Sequence, residues 1–399
     1  MVLLQTIKHK TPINGTISSF SKTILQKRLK QTSSESNNNA TITPLYPNTP
    51  LYTYNLGLSY ASKYSPPFVS PKTKIPPYGF MNRDKNDSIT KWVNEMMDLP
   101  AGRGELKSAS SSGNDQNQDQ VAEKIKSDIR KWGAGEDFFA VQNVGNDLHL
   151  ALSDGVGGWT DRVDPSLFSQ ALCYHYSQTS LEFASSEPRD VLNKAYKKLL
   201  NDNRVVAGGA TFTGVRLGEE GDASFVNLGD SGYAIMRNDQ IIYMSEPQTH
   251  FFNCPLQLSK IPKDMQQNGV IHDTPDHADI KNFELEIGDV VILFTDGLSD
   301  NLPSSHIPIL SSKLRQLLNS DVNSHLNEIE KEIEFSRLFS DILVGYGRMA
   351  MQRTGEEDQG KSWKTPFELE AKKKAPKYGF KGGKVDDITV MTAVVSEKD

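Results

Sequence analysis

Apolar positions recur along this chain with two different periods. From Phe138 to Val141, and again at Leu148, Leu150 and Leu152, they form short runs on either side of Gly145-Asn146-Asp147, which predicts two strands joined by a turn. Gly208–Leu217, Ala223–Leu228, Gly232–Arg237, Asp289–Thr295 and Ile388–Val395 read as further strands. Helical spacing covers Pro165 to about Ala184, Pro188 to about Leu200, Ile307–Asn319 and Asn323–Met351, with both prolines placed where helices open. Strands come in consecutive runs and helices in consecutive pairs. That order is α+β rather than alternating βαβ, and two packed antiparallel sheets flanked by helix pairs fit it.

Ahead of these elements the pattern changes. The first 34 residues contain Lys8, Lys10, Lys22, Lys27, Arg28 and Lys30, many Ser and Thr, and no acid. Ile17, Phe20, Ile24 and Leu25 fall at i, i+3, i+7 and i+8, on one helical face. Basic, hydroxyl-rich, acid-free and amphipathic describes a mitochondrial transit peptide over residues 1–34, and a basic disordered tail is the alternative. A polar run from Ser33 to Asn39, then a stretch from Pro44 to Pro77 dense in Pro, Tyr and Ser, mark residues 35–76 as a disordered linker. The catalytic domain is expected over residues 77–397, with a polar, disordered insertion at 108–120. No stretch approaches the ~18 apolar residues of a membrane span.

Charge sharpens this division. Residues 1–83 hold ten Lys and Arg against one acid, Glu35, and the remainder holds 34 against 49. So acidic a catalytic part is a poor nucleic-acid binder, because phosphate backbones are held by basic surfaces. The two cysteines, Cys173 and Cys254, lie far apart in apolar segments. They predict a reducing compartment and read as small buried residues.

Acids then stand out by position. They occur in Gly135-Glu136-Asp137, Ser153-Asp154-Gly155-Val156-Gly157-Gly158-Trp159, Leu228-Gly229-Asp230-Ser231-Gly232, Phe294-Thr295-Asp296-Gly297 and Val385-Asp386-Asp387-Ile388-Thr389. Each acid sits at or near the end of an apolar, strand-like run. Any one Asp-Gly pair alone reads as a turn. Several carboxylates delivered this way concentrate negative charge that bound cations offset. An oxygen-only set suits Mg²⁺ or Mn²⁺ rather than Zn²⁺, so the pattern points to a two-metal hydrolase.

In this order the motifs resemble those of the metal-dependent type 2C Ser/Thr protein phosphatases, over about residues 77–397. Finer features are similar to the mitochondrial branch that includes the seventh yeast type 2C phosphatase: Asp154-Gly155-Val156-Gly157-Gly158-Trp159, Val163-Asp164-Pro165-Ser166, Asn227-Leu228-Gly229-Asp230-Ser231-Gly232, Gln248-Thr249-His250-Phe251-Phe252-Asn253, Gln257-Leu258-Ser259 and Gly382-Gly383-Lys384. The resemblance implies a four-layer α-β-β-α sandwich. It implies two Mn²⁺ or Mg²⁺ ions, with a weaker third. Asp154 bridges the two, the Gly155 carbonyl and the pair Glu136 and Asp137 serve one, Asp296 and Asp386 the other, and Asp230 with Asp296 the third. Asp154 and Asp296 are then the residues on which catalysis turns, through in-line attack of a metal-activated water without a phospho-enzyme intermediate. The implied substrates are phosphoproteins of the mitochondrial matrix, with a link to ubiquinone biosynthesis, acted on by a monomer.

Three positions depart from the family pattern. Val156 stands where many animal relatives carry a His proposed to protonate the leaving group. Trp132, beside Arg130 and Lys131, stands where relatives carry a phosphate-binding Arg. Asp387 stands where many have Asn. His250 reads as a structural hydrogen-bonder. Two other classes fit less well: a two-metal hydrolase of small phosphoesters, and a pseudophosphatase, which usually loses ligand acids, and none is lost here.

Overall fold

Val290–Phe294 is apolar at every position because both of its faces are covered. Val291 and Leu293 face one core, and Val290, Ile292 and Phe294 face another. The same alternation runs through Gly232–Arg237, where Tyr233 and Ile235 point one way and Ala234 and Met236 the other. A sheet buried on both faces must be an inner layer. The computed structural model describes residues 51–68, 79–80, 83–101, 131–159, 163–184, 186–265, 271–356 and 363–398. The segments read as transit peptide (1–34) and insertion (108–120) lie outside the described residues.

The strands are β1 (Tyr52–Ala61), β2 (Asp137–Val144), β3 (Asp147–Asp154), β4 (Gly208–Ala210), β5 (Phe212–Leu217), β6 (Asp222–Leu228), β7 (Gly232–Arg237), β8 (Gln240–Met244), β9 (Thr249–Phe251), β10 (Cys254–Pro255), β11 (Leu258–Lys260), β12 (Asp279–Glu284), β13 (Val290–Phe294) and β14 (Ile388–Glu397). One antiparallel sheet has the order β1-β14-β13-β7-β8, and the other β12-β6-β5-β3-β2. The helices are α1 (Ser88–Ala101), α2 (Pro165–Glu182), α3 (Pro188–Leu200), α4 (Asp296–Ser299), α5 (His306–Leu318), α6 (Glu328–Met351) and α7 (Pro366–Lys374). The pair α2 and α3 covers the second sheet, and α5 and α6 cover the first. The expected α+β, four-layer α-β-β-α sandwich is the architecture observed.

Helix starts follow from local chemistry. Asp164 caps α2 by accepting from the Ser166 N–H, with Pro165 at the first helical position. The helix expected from Asn323 begins at Glu328, because Asn327 and Glu330 form a reciprocal capping box there. The strand expected over Gly208–Leu217 is two strands broken at Thr211, whose N–H donates to the Asp154 carbonyl.

The linker expected over 35–76 needs correction. Tyr52–Ala61 is a ten-residue strand paired along its whole length with β14. Tyr52, Tyr54, Leu56, Leu58 and Tyr60 alternate with small or polar residues, and this face packs on the core. Composition rich in Pro, Ser and Tyr on either side masked the alternation. Gly57 is where α6 crosses the strand: a Cβ there would lie 2.0 Å from the Ser336 carbonyl oxygen. The folded domain therefore starts before residue 77.

Deleting residues 1–76 removes an edge strand and leaves β14 unpaired on that side, so that protein is expected to aggregate or melt many degrees lower. Deleting residues 1–50 keeps β1 and is expected to leave the melting temperature unchanged within a few degrees. Thermal melts of the two truncations check this; equal stability would show that β1 contributes nothing.

Candidate active site

Antiparallel order brings distant acids to one end of the sandwich. In the first sheet, the end of β13 adjoins the starts of β7 and β14, with Phe294 opposite Gly232 and Val390. Asp296 follows β13, Asp230 precedes β7, and Asp386 and Asp387 precede β14. In the second sheet, Asp137 opens β2 directly opposite Asp154, which closes β3. Carboxylate oxygens of Asp154, Asp230 and Asp296 lie within 4.8 Å of one another.

The backbone around Asp154 is stitched on both sides. The Gly155 N–H donates to the Glu136 carbonyl (3.1 Å), and the Val156 N–H to the Gly209 carbonyl (2.9 Å). The Asp154 N–H donates to Thr211 Oγ1, whose hydroxyl also meets that of Ser231 (2.7 Å). Gly155 is itself buried against Ala210. Asp137 ties the two sheets together: its Oδ2 accepts from Thr295 Oγ1 (2.8 Å) and Thr389 Oγ1 (2.9 Å), one from each flanking strand of the other sheet. Its Oδ1 and the Oδ1 of Asp230 are buried without a hydrogen-bond partner. Both oxygens can serve a cation.

Two lysines meet the cluster, and both reach Asp386. Lys63, just beyond β1, places Nζ 2.7 Å from Glu136, 3.3 Å from Asp387 and 3.7 Å from Asp386. Lys384 places Nζ 2.6 Å from Asp296, 2.7 Å from Asp300 and 3.1 Å from Asp386. Asp387 holds the loops rather than facing the cluster's centre, accepting from the Lys63 and Glu136 N–H groups. Gly135, at φ +71°, is required beside it, since a Cβ there would lie 1.9 Å from Asp387 Oδ1.

Burial sets the protonation balance. It pushes Asp154 well above the usual carboxylate range, with repulsion from Asp296, Asp137, Asp386 and Asp230 adding to it. Burial likewise raises Asp230, where Asp296 adds, and Asp137, where Asp387 adds. Asp386 and Glu136 are raised for the same first reason. Asp296 is the exception: burial would raise it, but the Lys384 ammonium, a hydrogen bond with Asp154 and the Lys63 charge together lower it. Asp300, half-buried beside the same acids, is pushed up to about 7, by desolvation first. This is an anion-rich, oxygen-only pocket whose free state holds protons that divalent cations would displace.

Each expected site residue therefore lies at this end of the fold. Asp154, Asp230 and Asp296 converge, Asp386 joins through Lys384, Glu136 meets Lys63, and Asp137 is a buried brace with one oxygen to spare. Asp300, Lys63 and Lys384 were not read as site residues. Asp300 follows Asp296 by four positions on the α4 turn, a spacing that shares a helix face. Lys63 carried no signal, because it lay in the supposed linker. Trp132 is buried with Lys131 Nζ 4.5 Å from its ring centre, and Arg130 lies outside the described residues. His250 bonds Asp273 (2.9 Å), a buried carboxylate that also accepts from the Gln257 N–H, which suits a structural role.

Comparison with known proteins follows the same line. No family model matches the chain. The X-ray structure of the photosystem II phosphatase PBCP aligns with 65% of this chain and 91% of its own, at 26% identity and a TM-score of 0.50. The chain belongs to the type 2C family of metal-dependent serine/threonine protein phosphatases. Within it, the chain is similar to the following curated relatives. The human protein phosphatase PTC7 homolog is 32% identical over 252 residues, 62% of this chain and 75% of the relative. The Drosophila grimshawi PTC7 homolog fig is 33% identical over 266 residues, 65% and 79% respectively. Saccharomyces cerevisiae mitochondrial protein phosphatase 2C homolog 7 is 29% identical over 292 residues, 69% and 78%.

The raised acids fix the direction of a pH effect. They bind protons more tightly in the folded, ion-free chain than in the unfolded one. Their contribution to stability is therefore lost as pH rises toward about 7, where Asp300 ionises. We expect the gap between the melting temperatures with millimolar Mn²⁺ and with chelator to be wider at pH 8 than at pH 6. Melting curves under both conditions at both values check this; a gap that narrows as pH rises would contradict it.

Proposed function

We propose that this chain removes phosphate from phosphoserine and phosphothreonine of mitochondrial proteins, using Mn²⁺ or Mg²⁺ held by the strand-end acids. The observation that carries the reading is the convergence of Asp154, Asp230 and Asp296 within 4.8 Å, from three separate segments of the chain. In this reading Asp154, the Gly155 carbonyl, Glu136 and Asp137 would hold one ion, and Asp154, Asp296 and Asp386 the other. The unpartnered Oδ1 atoms of Asp137 and Asp230 support the fit. Divalent ions so held supply a lowered water pKa and offset charge on phosphoryl oxygens.

The chain's own residues do the positioning. The hydrogen bonds from Gly155 and Val156 hold the Asp154 turn rigid, and the Asp137 brace keeps the two sheets' contributions in register. Val156 carries no proton to give, so the leaving oxygen is protonated by another group. Lys63, rather than the buried Trp132, is the basic side chain beside Glu136.

A protein substrate is favoured over a small phosphoester by the surface next to Asp230 and Asp300. A cavity of about 220 Å³ opens there, lined by Met244, Pro247, Phe252 and Phe367 together with Thr249, Asn253, Ser304 and Glu370. A wall that mixes apolar and polar side chains suits the residues that flank a phosphorylated side chain. A mitochondrial setting is supported by the name of the yeast relative and by the basic, acid-free first 34 residues. Matrix proteins, including those of ubiquinone biosynthesis, are the substrates we propose to test first.

The full chain is expected to dephosphorylate phosphopeptides only with added Mn²⁺ or Mg²⁺, and to do so faster than it hydrolyses free nucleotides. Asp154→Ala and Asp296→Ala are each expected to lose on the order of 10³-fold or more in kcat. Steady-state assays with folded variants decide. Turnover without metal, or an Asp154→Ala protein near the wild-type rate, would overturn the reading.

A further inference from the structure

Residues 371–384 hold six lysines and no acid, in a part of the chain whose acids outnumber its basic residues. Lys384 turns into the acid cluster, and Lys374 pairs with Glu370 (2.6 Å). Lys372, Lys373, Lys377 and Lys381 are exposed, and among the described residues they form no ion pair. Tyr378 stands among them on the turn Pro376–Tyr378 beyond α7. It is 82% exposed, more than any other large apolar or aromatic side chain of the described residues. Lysines in the last turn of a helix favour the helix, which accounts for Lys372, Lys373 and Lys374. Lys377 and Tyr378 lie past that turn, and the helix gains nothing from them.

This patch is continuous with the mouth of the site. Pro366, Phe367 and Glu370 of α7 line the cavity that Asp230 and Asp300 also line. Phe367 is held between Phe252 (5.2 Å) and Phe380 (4.7 Å, edge-on), so the segment after Tyr378 is tied back onto α7. At the rise of an α-helix, Lys373 lies ~9 Å along α7 from Phe367. An extended peptide covers that distance in about three residues. A phosphoprotein is an anion, and here it must approach an acidic surface. Exposed lysines beside the mouth offset that repulsion and attract carboxylates. We propose that Lys372, Lys373 and Lys377, with Tyr378, form a docking surface for an acidic stretch of the phosphoprotein, about three or more residues from the phosphorylated side chain. The proposal rests on the reading that phosphoproteins are turned over at the strand-end acids. It adds a substrate class: phosphorylation sites flanked by Asp and Glu.

The test compares phosphopeptides on the full chain with Mn²⁺. One set carries Asp and Glu about three to five positions from the phosphoserine, on each side in turn; the other carries Ser and Ala there. At low salt one acidic peptide is expected to exceed its neutral counterpart about tenfold in kcat/KM, through KM, and the advantage to shrink to about twofold at ~0.5 M salt. The triple variant Lys372→Glu, Lys373→Glu, Lys377→Glu is expected to lose the advantage, with kcat/KM on the neutral peptide within about twofold of wild type. Lys381, whose Cβ packs toward Gly355, is left in place. Tyr378→Ala is expected to raise KM for the acidic peptide about threefold, and an unchanged KM would overturn the part given to Tyr378. Anisotropy of labelled, non-hydrolysable phosphonate peptides repeats the comparison without turnover. Equal values for acidic and neutral peptides on the wild type, or an advantage that the triple variant keeps, would overturn the proposal. So would anionic lipid vesicles that bind the wild type and not the triple variant while the peptides are treated alike, which would give the patch to a membrane surface. No turnover of any phosphopeptide would instead sink the underlying phosphatase reading.

Discussion

Buried carboxylates repel one another, and that repulsion organises this molecule. Asp137 and Asp296, which are buried, and Asp154, Asp230, Asp300 and Asp386, which are half-buried, are brought to one end of a two-sheet sandwich. Burial and mutual proximity raise most of them, and only Asp296, against the Lys384 ammonium, is lowered. Such crowding costs the bare chain stability, which bound protons or cations offset. Lys63 and Lys384 supply part of that charge from the protein itself. The orphaned oxygens of Asp137 and Asp230 mark where the remainder is wanted.

The scaffold's contribution is to hold the acids against their repulsion. Each comes from a strand end or a turn tied to one, and the strands are locked by two cores, one between the sheets and one under α5 and α6. The link between sheets is polar. Asp137 accepts from Thr295 and Thr389, so a carboxylate of the second sheet reads the register of β13 against β14 in the first. The Thr389 N–H in turn donates to Thr295 Oγ1, closing the network. Site geometry and sheet packing are thus one problem, and a change in either moves the other.

Much of this was legible before the structure. Strands buried on both faces, such as Val290–Phe294, announce themselves as unbroken apolar runs, and each delivers its acid onto the following turn. That regularity is why the strand-end acids were found. What stayed hidden depended on partners far away in the chain. β1 alternates plainly from Tyr52 to Tyr60, but its proline-rich surroundings read as linker, and only β14, more than 300 residues later, gives it a reason to be a strand. Lys63 was lost with it. Asp300 and Lys384 lie next to recognised motifs, yet their pairing exists only once α4 and the loop before β14 are side by side. The role of Asp137 as a brace required knowing which threonines faced it.

In the proposed function Asp154 would be shared by two divalent ions. The most direct measurement is a crystal structure of the Mn²⁺-soaked protein with anomalous scattering recorded at the manganese edge. Two strong peaks are expected, both within bonding distance of Asp154. One should contact the Gly155 carbonyl, and the other Asp296 and Asp386. Peaks absent from the Asp154 carboxylate, or a single ion bound elsewhere in the cluster, would contradict it.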